Sequence, residues 1–237
     1  FKTVAVSTSG SIVKTTLVSA GVGDRMAGTM LQPMVFQEHP MGNPWLNYSI
    51  YLTNSFVPGV IALMVMLVTV FSICDEIKRG TSVGWLSDAG GSIVTAVAGK
   101  LLPQTVIFSL VGIMCQSLIF GWSHFPLNGN PWHMVFAMIL MVIACQSFAL
   151  IIVGALPNLR LALSIASLIG ILSFSVTGFS FPVQSMYGSI GIFSYLIPLR
   201  YYFLIYVDQA LNGIPLYFSR WYYIALLVFP FVALLLL

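Results

Sequence analysis

Polar and apolar positions along this chain separate into long blocks instead of alternating at the period of a strand. Five stretches are nearly free of charge and rich in Leu, Ile, Val, Phe and Met: about 56–74, 104–122, 134–156, 159–180 and 221–237. A helix needs about 20 apolar residues to cross a hydrocarbon core roughly 30 Å thick, because backbone polar groups in lipid must be satisfied internally. The pattern therefore predicts five transmembrane helices and an all-α integral membrane protein. A further apolar run, Ile190 to Val207, follows Phe181-Pro182 and Gly188 and contains both Pro198 and Arg200. A full crossing there would carry a helix break and a cation into lipid, so two short re-entrant helices over 181–207 are expected, with a single sixth span over 189–207 as the alternative.

Composition agrees with the blocks. Of 237 residues, 59% are hydrophobic and 6% charged, and nine Lys+Arg with six Asp+Glu cannot cover a water-soluble fold. A cytosolic enzyme, a disordered tail and a nucleic-acid binder are thereby excluded, and the bilayer remains as the partner. The net charge of +3 comes from scattered cations and bears on topology alone. The link 75–103 holds Asp75, Glu76, Lys78, Arg79, Asp88 and Lys100, the link 123–133 holds no charged residue, and Arg160 stands beside the turn at Pro157. The positive-inside rule places 75–103 and 157–160 in the cytoplasm, although Arg200 and Arg220 lie in the opposite-side segment. Trp122, Phe125 and Trp132, and Tyr217, Trp221, Tyr222 and Tyr223, fit an aromatic belt at the outer boundary. Residues 1–50 are richer in Ser, Thr and Gly, with Pro33, Pro40 and Pro44 near their end, and read as the tail of a water-facing domain; 51–237 form the membrane domain. The start at Phe1 and the stop within an apolar run suggest an excerpt of a longer polypeptide.

Motifs for chemistry are lacking. His39, His124 and His133 stand near membrane edges with no nucleophile beside them, and neither a G-x-S-x-G elbow nor an H-E-x-x-H helix occurs. Gly99-Lys100 is not a phosphate-binding loop, since Val94 occupies the first glycine position and Leu101 replaces Ser or Thr. Cys74, Cys115 and Cys145 form no C-x-x-C pair. No catalytic, cofactor-binding or metal-binding residue is expected in this chain. The spans also lack Asp, Glu, Lys and Arg apart from Arg160 at one end, whereas a proton-coupled pump or voltage sensor needs intramembrane charge. Energy must come from elsewhere. Gln116, Gln146, Ser147, Ser164, Ser167, Ser173, Ser175 and Thr177 offer neutral hydrogen bonding, for interhelical packing or for an amphipathic passenger.

The most informative stretch lies between the first two spans. There a charged turn, Asp75-Glu-Ile-Lys-Arg-Gly-Thr81, passes into Val83-Gly-Trp-Leu86, then Ser87-Asp-Ala-Gly-Gly-Ser92, then Gly99-Lys-Leu-Leu-Pro103. Trp85, Leu86 and Val83 suit an apolar surface, while Lys78 and Arg79 suit acidic groups or lipid phosphates. This order resembles the first cytoplasmic loop of the permease subunits of type-2 ABC exporters, which runs E-x-x-x-G-T, a short Leu-rich helix, then G-K-x-x-P. Glu76, Gly80, Thr81, Leu86, Gly99, Lys100 and Pro103 match. Pro58-Gly59-Val60, Pro182, Met186, Pro198-Leu199 and Gly213 extend the resemblance over roughly 45–237. Ser87-Asp88-Ala89 departs from the family's Thr/Ser-Pro, and Tyr187 from its Pro.

The resemblance implies a multi-pass subunit of a bacterial cytoplasmic (inner) membrane that is not itself an enzyme. Its partners would be separate ABC ATPase subunits holding ATP and Mg, a second permease copy or a paralogue, and in a double-membrane bacterium a periplasmic adaptor. Five of six spans, a cytoplasmic coupling helix and two re-entrant outer helices would be present, and residues 1–50 would be the C-terminal part of an extracytoplasmic domain. Coupling to the ATPase would fall to Glu76, Lys78, Arg79, Gly80, Thr81, Trp85, Leu86 and Asp88, with Glu76 and Arg79 as ionic contacts and Trp85 and Leu86 as apolar anchor. The path and its outer gate would be lined by Phe174, Thr177, Phe179, Phe181, Pro182, Tyr195 and Tyr202, favouring a hydrophobic or amphipathic substrate, drug-like or lipid-like. An ATP-independent channel or a membrane scaffold is the alternative reading.

Overall fold

The computed structural model describes residues 2–31, 48–178 and 183–236, and every regular element among them is a helix. The chain divides into two units, Phe1–His39 and Pro40–Leu237. In the first, α1 (Lys2–Ser19) and α2 (Asp24–Leu31) pack together, with Ala27 buried and Lys14 paired to Asp24 at 3.0 Å. The alternation of Val with polar residues over Thr3–Ser7 lies within α1.

The second unit holds α3 (Tyr48–Arg79), α4 (Ser82–Asp88), α5 (Ile93–Gln116), α6 (Pro131–Ala155), α7 (Leu159–Val176), α8 (Gly188–Tyr195), α9 (Pro198–Ile205) and α10 (Leu216–Leu236). Five of them, α3, α5, α6, α7 and α10, are long and apolar enough to cross a membrane, and they coincide with the five blocks of the sequence. Their ends differ from the apolar blocks for local reasons. The charged stretch Asp75–Arg79 continues α3, because Glu, Lys and Arg are good helix formers and nothing stops the helix before Gly80. The 32 residues of α3 therefore reach about 48 Å, well beyond a hydrocarbon core. Ser92 caps the start of α5 by accepting from the Thr95 N–H at 3.4 Å, which places Pro103 inside the helix. The polar link between these spans thus shrinks to 80–92, with α4 in its middle.

At the centre stands α6. Its apolar window is 61% buried, against 22% for α5, α7 and α10. Met134, Met138, Met141 and Val142 are fully enclosed where α3, α5, α9 and α10 surround it, and α7 packs chiefly on α3. The peripheral helices turn Leu110, Ile171 and Phe231 outward, as expected where lipid is the solvent. Both α5 and α9 end in a π-helical turn, Ser117–Trp122 and Tyr206–Leu211. Between α8 and the continuous Pro198–Leu211 segment the axis bends by 83°, with Pro198 opening α9. Arg200 is buried there, its guanidinium over the Tyr195 ring at 4.4 Å. The bend is the break foreseen at Pro198, and it suits either a broken span or a re-entrant pair.

Candidate functional site

Two glycine turns shape the link between α3 and α5. Gly80 has φ +72°, and the Gly80 N–H donates to the Ile77 carbonyl while the Thr81 N–H donates to that of Glu76, at 3.2 and 3.1 Å. This paired pattern is a Schellman motif, which needs a left-handed residue after the helix and so favours glycine. The same motif closes α4: Gly90 (φ +69°) donates to the Ser87 carbonyl at 3.0 Å, and Gly91 (φ +80°) to that of Leu86 at 2.9 Å. The chain thus turns twice within 80–92 and forms an elbow. Ser87-Asp88-Ala89 leads straight into the double glycine, and that pair supplies the bend.

A polar clasp holds the elbow shut. The Glu76 carboxylate accepts from the Lys100 ammonium and from the Thr81 hydroxyl, joining the end of α3, the turn and the first half of α5. The Lys100 ammonium also stands 5.1 Å from the Trp85 ring centre, a cation–π contact that ties in α4. Glu76, Trp85, Asp88 and Lys100 line one open groove of about 420 Å³. Arg79 is paired along its own helix with Asp75 at 2.8 Å. Lys78 lies apart from the clasp and faces a second groove, shared with Arg160.

The two faces of α4 differ. Trp85 and Leu86 are half-buried and line an apolar cavity of about 290 Å³ with Ile73 of α3, Val97 of α5 and Leu150 and Val153 of α6. Trp85 packs against the buried core and anchors α4 to its own bundle, while Leu86 faces the cavity. Val83, 77% exposed, and Ser87 one turn later point away from it. A small apolar and hydroxyl surface is thereby presented on a helix that is fixed at both ends.

Above the elbow, Pro103 interrupts the N–H ladder of α5, and side chains gather around the Leu101 carbonyl. That oxygen accepts from Gln146 Nε2 at 3.3 Å, and the single Thr105 hydroxyl proton has two acceptors in reach, the Gln146 Oε1 at 2.7 Å and the same Leu101 oxygen at 2.9 Å. Gln146 therefore pins α5 to the central helix. Towards the other end, Gln116 Nε2 donates to the Met134 carbonyl and to the Tyr202 hydroxyl at 3.0 and 2.9 Å, linking α5, α6 and α9.

The residues expected at an outer gate have different neighbours. Tyr202 is buried in the core beside Gln116, whereas Phe174 sits with its ring 5.5 Å from that of Phe56. Thr177 is buried with its hydroxyl donating to the Ser173 carbonyl at 2.7 Å, and Tyr195 is exposed beneath Arg200. Phe179, Phe181 and Pro182 lie outside the described residues.

Sequence reasoning gave no role to the polar cluster at the end of the bundle opposite α4. There the Gln209 side chain bonds His133 Nδ1 at 2.8 Å, the Ile214 carbonyl at 2.9 Å and the Ser219 hydroxyl at 3.0 Å, and the Ser219 hydroxyl donates to Asp208 at 2.9 Å. Tyr223 reaches the His133 carbonyl at 3.2 Å. These residues are 76 to 90 positions apart at their widest, so no local spacing could have signalled them.

Among the described residues no three His, Cys, Asp or Glu side chains come together to hold a metal ion. No curated protein and no solved structure matches the chain. A family model described as ABC-2 family transporter protein matches residues 7–237. A multi-pass helical bundle of this kind, with an elbow joining its first two spans and a family match over nearly its whole length, belongs to the ABC-2 family of membrane transporter proteins.

Proposed function

We propose that this chain is the permease subunit of an ATP-driven exporter, with the elbow facing the cytoplasm and α4 as the seat of a separate ATPase subunit. One observation carries the reading: α4 is bracketed by two left-handed glycine turns and clamped to its own bundle by Trp85 and the Glu76–Lys100 pair, while Val83 and Ser87 are left facing outward. A helix so held passes a push into α3 and α5 instead of folding away from it. Because α5 is tied to α6 through Gln146 and Gln116, the displacement reaches the core. Glu76 then shapes the elbow more than it contacts the partner, and Asp88 and the half-buried Trp85 border the groove at which the partner edge is received.

With the elbow inside, α3 begins on the far side, which supports residues 1–50 as the end of an extracytoplasmic domain. The bent α8–α9 pair is then a re-entrant outer element that closes the path, and it keeps Arg200 among protein groups. An apolar interior with few, mostly neutral, hydrogen-bonding groups favours a hydrophobic or amphipathic substrate. A second permease copy or a paralogue completes the path, with ATP and Mg handled in the ATPase.

Val83→Asp tests the seat, since the new charge lies on the outward face and leaves the clasp intact. Loss of the co-purifying ATPase, and of the rise in its turnover with an amphipathic compound, is expected. Retained ATPase and unchanged stimulation would overturn the assignment of α4. Substrate flux through the reconstituted chain without ATP would favour a channel instead.

A further inference from the structure

A groove of about 710 Å³ lies apart from the elbow. It opens between the end of α3 and the start of α7, on the same side of the bundle as α4, and the Pro157 turn forms its rim. Its walls are apolar: Cys74 and Ile77 on α3, Leu159, Leu161 and Leu163 on α7. Ile77 and Leu161 are exposed, so the groove is open to the outside of the bundle. Two cations stand in it, Lys78 and Arg160, and neither has a carboxylate within ion-pair distance among the described residues. The nearest acids in sequence are engaged elsewhere, Asp75 with Arg79 and Glu76 with Lys100.

The electrostatics are one-sided. Arg160 sits in the first turn of α7, where the helix dipole adds positive potential, and a cation there is disfavoured unless an anion answers it. The Asn158 side chain already accepts from the Arg160 and Leu161 N–H groups at 3.1 and 3.4 Å, so the first amides of α7 are engaged and the two side-chain cations are the free ligands. Two uncompensated positive groups above an apolar wall, at the boundary of a membrane span, match an anionic head with its acyl chain below.

We propose that this groove binds an anionic phospholipid of the bilayer, its phosphate between Lys78 and Arg160 and one acyl chain along Ile77, Leu161 and Leu163. Lys78 is thereby a lipid ligand. Such a lipid would brace α3 against α7 beside the elbow, and so bears on how freely the elbow moves. If that end of the bundle is cytoplasmic, as in the function proposed above, the lipid belongs to the inner leaflet. Binding itself does not depend on that reading.

The test uses the whole permease, purified with whatever ATPase accompanies it, in nanodiscs of phosphatidylcholine with a minor fraction of phosphatidylglycerol. Lipid retained after extraction is read by native mass spectrometry. Wild type should keep phosphatidylglycerol in preference to phosphatidylcholine. That preference should fall about fivefold in Lys78→Gln and again in Arg160→Gln, on the scale of one basic side chain near an anionic lipid surface. The charge-keeping pair Lys78→Arg with Arg160→Lys should retain it, as should Arg79→Gln, whose cation lies outside the groove. Equal preference in wild type and in the double Gln variant would overturn the proposal, and so would displacement of the lipid by excess inorganic phosphate, which would assign the site to a free anion. Loss of the ATPase from the double variant with lipid preference intact would assign the two cations to the partner. Sidedness, read separately by labelling Ser87→Cys in intact cells, tests the functional reading without touching this one.

Discussion

Gln146→Leu removes the side chain that joins α5 to the central helix while keeping nearly the same volume in a position only 4% exposed. The native amide accepts the Thr105 hydroxyl at 2.7 Å and donates to the Leu101 carbonyl at 3.3 Å. In the variant the single Thr105 proton turns to the Leu101 oxygen, 2.9 Å away, so no buried group is orphaned and the loss is that of the two interhelical bonds less what this intrahelical bond returns. Such bonds average about 0.6 kcal/mol in membrane proteins with a ceiling near 1.7, so the variant should lose about 1 kcal/mol, the longer bond giving the smaller share. The Thr105–Gln146 pair should show a coupling of about 0.6 kcal/mol in a double-mutant cycle with Thr105→Val. Reversible unfolding in mixed detergent, followed by circular dichroism, supplies the four free energies. A coupling below about 0.2 kcal/mol would be within the noise of additive sites and would refute the idea that this contact fixes α5 to the core.

Other outcomes follow from the same geometry. In Gly129→Ala the added Cβ would run into the main-chain carbonyl oxygen of Gln209, with the carbonyl carbon at 3.2 Å; no rotamer relieves a backbone clash, so stability should fall by about 1–3 kcal/mol as a lower thermal midpoint. An unchanged midpoint would mean that the 123–130 loop and the Tyr206–Leu211 turn are not pressed together. Glu76→Gln and Lys100→Gln should each loosen the elbow and speed thiol labelling of Ser82→Cys, and the exchange Glu76→Lys with Lys100→Glu should restore protection. Labelling as slow in the single variants as in the parent would deny the clasp its role.

The elbow shows how far local chemistry reaches. Gly80, Gly90 and Gly91 end two helices and Ser92 begins a third, yet the apolar blocks alone set the link at 75–103, because they do not register the charged helix end Asp75–Arg79 or the first turns of α5. The apolar blocks themselves were plain, because the rule that sets a span is one of length and composition alone. Less legible was the partner of each charge. Glu76 stands 24 residues from Lys100, and its engagement inside the elbow, instead of on an outward surface, depends on α5 returning alongside α3. The same holds for Trp85, which packs against the apolar core of its own chain.

What the sequence determined by itself is therefore the five long apolar helices, the break at Pro198 and the family. Each is encoded within a few residues or within one apolar block, and lipid enforces it without reference to neighbours. Only the tertiary structure decided which helix is central, which polar side chains meet, and that Lys78 and Arg160 share one groove. Helix neighbours in a membrane are chosen by close packing and by hydrogen bonds across helices, since apolar side chains are as well solvated by lipid as by one another. That selection joins positions far apart in the chain, and no periodicity along it carries the information.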